Sequence, residues 1–104
     1  MLVLTTETVA GREVAVSLGL VRGSTVRAKH IGSDIVASLR NIVGGEVKEY
    51  ASLLAGAREQ AMDRMIAQAT ELGADAIVAV RFQTSAIAQS ASEVMCYGTA
   101  VTLK

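Results

Sequence analysis

The longest stretch with a helical period runs from Glu46 to Leu72, and Gly73 follows it directly. At about 100° per residue, apolar side chains recur on one narrow stripe, and charged side chains such as Glu59 and Asp63 fall on the opposite arc. A glycine in this place is suited to the left-handed position that ends a helix. The pattern therefore predicts one long amphipathic helix that packs on a sheet. Its apolar stripe consists of Val47, Tyr50, Leu54, Ala57, Ala61, Met65 and Leu72.

A second apolar set widens this stripe to roughly half of the helix circumference, which is more than one core contact needs. We therefore expect its small residues to pack against another element, either of this chain or of another subunit. Arg58 falls inside the apolar sector, and two interpretations of it are open. Its stem lies on the surface with the charged head in water, or its guanidinium is held at a subunit junction. The second set consists of Ala51, Ala55, Met62, Ile66 and Ala69.

Strands are predicted before the helix. A short strand is expected over 2–6, and alternation with a period of two predicts another over 14–20. Gly19 indicates a bulge or a close backbone approach within it. The pair Gly23-Ser24 predicts a break, after which a strand resumes over 25–28.

Two further strands are predicted after the helix, over 76–84 and 94–103. The small residues 88–92 connect them, so an antiparallel hairpin is expected. In the last strand, odd-numbered residues such as Tyr97 alternate with even-numbered ones such as Cys96. In the first of the pair, the alternation is expected to place three apolar side chains on one face, namely Val78, Val80 and Phe82.

A short helix is expected between the two halves of the chain, capped by Ser33 or Asp34 and ended by Gly44-Gly45. The predicted order is then β, β, short helix, long helix, β, β. This order is typical of an α+β fold in which helices pack on one face of an antiparallel sheet. We see no linker or repeat, so residues 1–104 are interpreted as a single domain.

Composition adds an expectation of self-association. The chain is 51% hydrophobic, with 3% aromatic residues, 19% charged residues and a mean hydropathy of +0.41. Some apolar surface is therefore expected between subunits. A net charge of zero argues against a broad nucleic-acid-binding surface. We also expect no membrane insertion, because no apolar run is long enough to span a bilayer, and a cytoplasmic location, because a single cysteine forms no internal disulfide.

Several blocks of sequence, in their order and spacing, resemble the YbjQ-like family of small bacterial proteins, also known as UPF0145 and described as heavy-metal-binding. The resemblance covers nearly the whole chain. His30 and the run Arg81-Phe82-Gln83 depart from the family, where relatives tend to carry an asparagine and acidic residues, respectively. The blocks are Thr5-Thr6-Glu7-Thr8-Val9 with Gly11, Gly19 with Gly23, Asp34-Ile35 with Arg40-Asn41-Ile42-Val43-Gly44-Gly45, Ala57-Arg58-Glu59 with Ala61-Met62, Leu72-Gly73-Ala74-Asp75-Ala76-Ile77-Val78, and Gly98-Thr99-Ala100-Val101.

The resemblance implies a dodecin-like subunit that assembles with copies of itself as a ring, typically a homopentamer. It implies no established reaction. We therefore expect a binding or scaffold protein whose ligand sites lie between subunits. The residues at which we expect such a shared pocket are Thr6, Glu7, Asp34, Asn41 and Arg58.

Two alternative functions stay open. A soft metal ion needs thiolate, imidazole or thioether ligands, and the chain offers Cys96 and His30, with Met62 and Met65 as further sulfur atoms. The chain has no Cys-x-x-Cys motif, and both methionines are more typical of core filling.

The other alternative is an enzyme with a composite site around Glu7, Asp34 and Arg58. The sequence offers no nucleophile with a base and an orienting group, so no catalytic residue is nominated. A basic cluster consists of Arg22, Arg27, Lys29 and His30. It suggests a solvated face, a partner for acidic helix surfaces on a neighbouring subunit, or an anion site.

Overall fold

A computed structural model describes residues 1–28, 45–89 and 91–104, with the backbone alone over 45–50. The predicted short helix and three candidate residues, His30, Asp34 and Asn41, lie outside the described residues. The elements are the strands β1 (Leu2–Val3) and β2 (Val14–Ala28), the helix α1 (Gly45–Glu71), and the strands β3 (Ala76–Ala88) and β4 (Ala91–Leu103). Helix α1 agrees with the predicted helix to within one residue at each end.

The strands form one four-stranded sheet in the order β1-β3-β4-β2. Strand β4 pairs antiparallel with both β2 and β3, whereas β1 pairs parallel with β3. The prediction of a purely antiparallel sheet was therefore wrong at β1. The chain crosses over through β2 and α1 before β3, so β3 runs beside β1 in the same direction. The amide of Leu4 donates to the carbonyl of Ile77 (2.8 Å), and the amide of Val80 donates to that of Leu4 (3.0 Å).

Helix α1 packs on one face of the sheet through residues spaced four apart. Ala57, Ala61, Met65 and Ala69 are all 0% exposed, and they share a core cluster with residues such as Val21 and Cys96. The predicted stripe was right at its centre and wrong at its end, because Leu72 is exposed and Ala69 takes its place. Helix α1 ends at Glu71, and Gly73 has a φ of +79°, which confirms its predicted left-handed conformation.

Gly23 lies directly under the helix. A Cβ at this position would overlap the carbonyl oxygen of Ala61 and crowd the amide nitrogen of Met65. Strand β2 continues through Gly23 without interruption from Val14 to Ala28. The predicted break was therefore wrong, because the glycine provides room for a helix rather than a turn.

A β-bulge in β3 changes the direction of its side chains. The register with β4 shifts between Val78 and Arg81, and Ala79 has a positive φ of 54°. Val78 belongs to the core cluster opposite the helix and Val80 to the cluster beneath it. The expectation that Val78, Val80 and Phe82 share one face was therefore wrong, since the bulge inserts an extra residue.

The predicted hairpin of β3 and β4 is confirmed, and its strands are longer than expected. The alternation in β4 is also confirmed. Cys96 and Ala100 lie in the cluster under the helix, and Val101 lies in the cluster on the other face.

The molecule is elongated. Its extents are 55 × 22 × 16 Å and its radius of gyration is 17.3 Å, whereas a compact chain of this length has roughly 13 Å. Strand β2 forms one edge of the sheet over its whole length, and β1 pairs with β3 only at Ala76 and Ile77. No helix within the described ranges is long and apolar enough to cross a membrane.

Candidate functional site

A pocket of about 470 Å³ opens on the face of the sheet opposite the helix. The chain between β1 and β2 passes over this face. Glu7 and Thr8 contribute from this segment, and Ser17 and Thr99 contribute hydroxyl groups from β2 and β4. The apolar lining comes from Val14, Val78, Ala79 and Val101.

Two bulges flank the pocket and shape its floor. Thr99 pairs with Val78 on one side, next to the bulge at Ala79. On the other side, Ser17 pairs with Val101, and the register then shifts before Gly19, which has a φ of +112°. The predicted bulge at Gly19 is thereby confirmed. Bulges bend strands and redirect side chains, and they are frequent next to binding sites.

The segment that covers the pocket is held by its own hydrogen bonds. The amide of Ala79 donates to the carbonyl of Thr6 (2.8 Å), and the hydroxyl of Thr6 donates to the carbonyl of Thr8 (2.7 Å). The amide of Arg12 donates to the carbonyl of Val9 (3.1 Å), and the Val9 side chain packs into the core cluster on this face. Glu7 is therefore presented by an ordered segment.

Ala79 is the one residue other than glycine with a positive φ in the described chain. A Cβ makes this conformation unfavourable by roughly 1–2 kcal/mol. The hydrogen bond from Ala79 to Thr6 and the bond from Val80 to Leu4 hold the bulge in place. Strained residues of this kind cluster at ligand sites, which marks this pocket as a candidate functional site.

The pocket contains polar groups that have no partner among the described residues. Within the described chain, the only ion pair joins Lys104 and Glu13 at 3.3 Å. The carboxylate of Glu7 therefore forms no ion pair with a described residue. The hydroxyls of Thr8, Ser17 and Thr99 form no hydrogen bond with another described residue. The pocket therefore presents one negative charge and three neutral hydroxyls beside an apolar wall.

The structure places the predicted pocket residues in different regions. Thr6 and Glu7 both lie in the segment that covers the pocket. Glu7 lines the pocket, and Thr6 precedes it in the chain. Arg58 is exposed on α1, which packs on the opposite face of the sheet. One chain therefore does not bring Glu7 and Arg58 together.

Sequence reasoning missed Ser17, Ala79 and Thr99 as pocket residues. The bulge predicted at Gly19 lies two residues after Ser17, so it did indicate this part of β2. Nothing in the run Ala76-Ile77-Val78-Ala79-Val80 indicates that Ala79 adopts a positive φ.

Cys96 lies in the core beneath the helix and is 0% exposed. Burial raises the pKa of its thiol, although hydrogen bonds from the backbone of Gly23 and of Cys96 itself lower it. The sulfur has no exposed surface, so a metal ion from solvent does not reach it in the folded chain. Met65 is buried in the same cluster and Met62 packs at its margin, as expected of core filling.

Comparisons with known proteins identify the family. Residues 1–104 match the model of the YbjQ family, whose description reads "Putative heavy-metal-binding". The chain belongs to this family. The resemblance found in the sequence is thus confirmed.

Relatives in the YbjQ family carry the name UPF0145 protein. One from Dehalococcoides mccartyi strain BAV1 is 60% identical over 101 residues, which is 97% of each chain. One from Archaeoglobus fulgidus is 57% identical over 104 residues, which is 100% of this chain and 96% of the relative. One from Methanosarcina acetivorans is 52% identical over 101 residues, which is 97% of this chain and 95% of the relative. The family therefore extends beyond bacteria to archaea.

A solved structure shares the fold. A protein of unknown function from Pediococcus pentosaceus aligns with a TM-score of 0.69 at 15% identity, over 100% of this chain and 98% of that one. The α+β fold with a mixed sheet and one long helix is therefore that of a YbjQ-like protein.

The description of the family as heavy-metal-binding finds no matching donor set in the part of the chain that the structure describes. No three His, Cys, Asp or Glu side chains converge there. Cys96 is a fully buried thiol, and His30 lies outside the described residues. Within these ranges, the side chains do not fit a resident metal ion.

Proposed function

We propose that the protein is a homo-oligomeric binding or scaffold protein that assembles as a ring, with five subunits as its family resemblance implies. Ligand sites lie between the subunits. The observation that carries the proposal is the long outer edge of β2 with its exposed apolar side chains. Val16 is 53%, Leu20 65% and Val26 54% exposed.

An outer strand offers unsatisfied amides and carbonyls to another chain, and monomers protect such edges with charges, prolines or short strands. Strand β2 has fifteen residues and contains no proline. Arg22 is its one exposed charged side chain, because Arg27 is half-buried and donates to Gln60 (2.7 Å). The amide of Arg22 and the carbonyl of Ser24 are bound by side chains of α1, and the remaining length of this edge is suited to pairing with a second copy.

The two flanks of α1 support the same proposal. Toward β2, the flank is closed by polar contacts: Arg64 donates to the carbonyl of Ser24 (2.6 Å), and Gln68 accepts from the amide of Arg22 (2.7 Å). The helical period puts Met62 and Ile66 on the other flank, toward β3. Both are half-buried.

Phe82 extends this second flank on β3 and is 43% exposed. Helix α1 thus has a polar flank that is bound to β2 and, on its other side, an apolar flank that is partly exposed. This apolar flank suits a neighbouring subunit that packs on the β3 side. Arg58 falls on the same open flank by the helical period, which supports a role at a subunit junction.

The position of the pocket supports ligand sites at such junctions. Val14 and Ser17 line the pocket and belong to the outer strand β2. A chain that pairs with β2 therefore comes close to the pocket and adds to its wall. We place the assembly in the cytoplasm as part of the same proposal, because the single cysteine is a free thiol.

Light scattering coupled to size-exclusion chromatography tests the proposal. The expected mass is about five times the 10.8 kDa of one chain. Replacing Leu20 with lysine places a charge on the outer edge of β2 and should shift the protein toward smaller species. Thr70→Lys adds the same charge on the outer side of α1 and should leave the mass unchanged.

A wild-type protein that stays at the mass of one chain at micromolar concentration would contradict the proposal. An unchanged mass of the Leu20→Lys variant would remove β2 from the interface.

The family description supports a second candidate, a heavy-metal-binding protein that uses Cys96 or His30. Elemental analysis of the purified wild type, of Cys96→Ser and of His30→Ala tests it. Metal that disappears in either variant would support this function. Equal metal content in all three proteins, including none, would reject it.

A further inference from the structure

We propose that the pocket at Glu7 binds a small organic cation, namely a protonated amine on a short aliphatic body. This inference rests on the proposed binding function and names the chemical class of its ligand. It follows from the charge, the hydrogen-bonding groups and the apolar surface that the pocket combines.

The lining of the pocket carries one negative charge, and no cation of the described residues forms an ion pair with it. Glu7 is the one charged side chain in the lining, and it is exposed. Two guanidinium groups are held by backbone carbonyls and form no ion pair with Glu7. Arg81 donates to the carbonyls of Thr5 and Val80 (both 2.9 Å), and Arg12 donates to that of Lys104 (3.1 Å). A cationic ligand would supply the missing opposite charge, whereas an anion would be repelled.

The hydroxyl groups fit an ammonium ion. An ammonium group has three donors and no acceptor, and a carboxylate only accepts. Glu7 can accept one of these hydrogen bonds, and the hydroxyls of Thr8, Ser17 and Thr99 can accept the others. Charged hydrogen bonds of this kind are stronger than neutral ones.

The apolar wall fits a short aliphatic body. Val14, Val78 and Val101 offer branched side chains against which methylene groups can pack. The volume of about 470 Å³ suits a small molecule. No aromatic side chain lines the pocket, so it offers no stacking platform for a nucleobase or another aromatic ring.

A divalent metal ion fits less well. Calcium takes six to eight oxygen ligands, several of them carboxylates, and magnesium needs near-ideal octahedral geometry. The pocket supplies one carboxylate, and no group of three acidic or imidazole side chains converges within the described residues. The organic cation is therefore the ligand class that these groups favour.

Isothermal titration calorimetry tests the inference. The full chain is titrated with three probes of similar length. The probes are 1,4-diaminobutane, the neutral 1,4-butanediol and the anionic succinate. We expect binding of the diamine alone, with amide chemical-shift changes at Ala79 and Thr99. The Glu7→Gln variant keeps the shape of the side chain and should weaken diamine binding roughly 10-fold to 100-fold.

Glu13→Gln is the matched control, because it removes the same charge from an exposed glutamate that pairs with Lys104 outside the pocket. It should bind the diamine like the wild type. Circular dichroism checks that both variants are folded.

Three outcomes would overturn the inference: equal binding of diamine and diol, equal binding by Glu7→Gln and wild type, or binding of magnesium or zinc without binding of the diamine. Light scattering on the same samples separates this inference from the proposed function. A pentamer that ignores the diamine refutes the ligand class alone. A monomer that binds it refutes the assembly alone.

Discussion

The two faces of the sheet differ in how tightly they are packed. On the helix face, small residues let α1 approach closely, and Ala61, Met65 and Cys96 are all 0% exposed. On the opposite face, a small cluster around Val9 and Val101 covers one end only. Within residues 1–28, 45–89 and 91–104, the helix face forms a packed core, whereas most of the opposite face is covered by no second layer.

The bulges explain how one sheet forms a packed core on one face and a pocket on the other. An extra residue in β3 at Ala79 and an irregularity between Ser17 and Gly19 in β2 redirect side chains around the pocket. Val21 and Ile77 remain fully buried in the cluster under the helix. The positive φ of Ala79 and the register shift before Gly19 thus both lie beside the pocket. Substitutions on the two faces should therefore have opposite consequences for stability.

The largest effect is expected at Gly23, where strand and helix meet. Gly23→Ala should lower the free energy of unfolding by about 3 kcal/mol, because the added Cβ forces α1 away from β2. Gly56→Ala is the matched control, since no other described element lies within 4 Å of its Cβ position. It should raise the free energy of unfolding by about 1 kcal/mol, through better helix propensity.

Urea denaturation measures both variants. A Gly23→Ala protein as stable as the wild type would contradict close packing on the helix face.

A pH-dependent effect is expected at Cys96. Burial raises the pKa of this thiol in the folded protein, so the folded state holds its proton at a pH where the unfolded thiol, with a pKa of roughly 8.5, has lost it. Its contribution to stability is complete below that pH and is lost as pH rises above it. Relative to Cys96→Ala, the wild type should therefore lose stability as the pH rises above that value.

Denaturation of the wild type and of Cys96→Ala between pH 7 and 10 provides the test. A thiol reagent should also modify Cys96 only after unfolding. Rapid modification of the native protein at pH 7 would show that the helix face opens readily.

A stabilising effect is expected on the pocket face. Ala79→Gly should raise the free energy of unfolding by about 1 kcal/mol, because glycine adopts a positive φ without strain. Ala86→Gly, in the same strand and without a positive φ, should lower it by about 0.5–1 kcal/mol. Thermal melts of both variants distinguish the two positions. If both glycines destabilise equally, the strain assigned to Ala79 is absent.

The smallest effect is expected at the ion pair of Lys104 with Glu13. Both side chains are more than half exposed, so solvent screens their attraction. Glu13→Gln should change the free energy of unfolding by less than about 0.5 kcal/mol, and added salt should remove the difference. A change above 1 kcal/mol would mean that this end of the pocket face is packed more tightly than its exposure indicates.

The regular elements were predictable from sequence. The helical period of Glu46–Leu72 and the glycine after it fixed the helix to within one residue, because many residues contribute to a long period. The hairpin of β3 and β4 was predictable for the same reason. The parallel pairing of β1 was not, since it depends on contacts with residues more than seventy positions away.

The features that depend on single residues were harder to predict. The sequence pattern does not distinguish a glycine that breaks a strand from one that makes room for a helix. The strand break predicted at Gly23 was therefore wrong. The positive φ of Ala79 is imposed by hydrogen bonds to the segment between β1 and β2, and alanine itself gives no indication of it. The polar run at Thr6 and Glu7 did point to the pocket, but the contributions of Ser17 and Thr99 required the register of the strands.

The place of β4 in the sheet also has a consequence for biosynthesis. It pairs with both β2 and β3, yet the ribosome makes it after both of them. The four strands therefore cannot pair completely while β4 is still inside the exit tunnel. Until then, the apolar side chains of β2 remain exposed without their partner strand. A nascent chain in this condition is suited to capture by a chaperone, and folding of the sheet is deferred until β4 has left the tunnel.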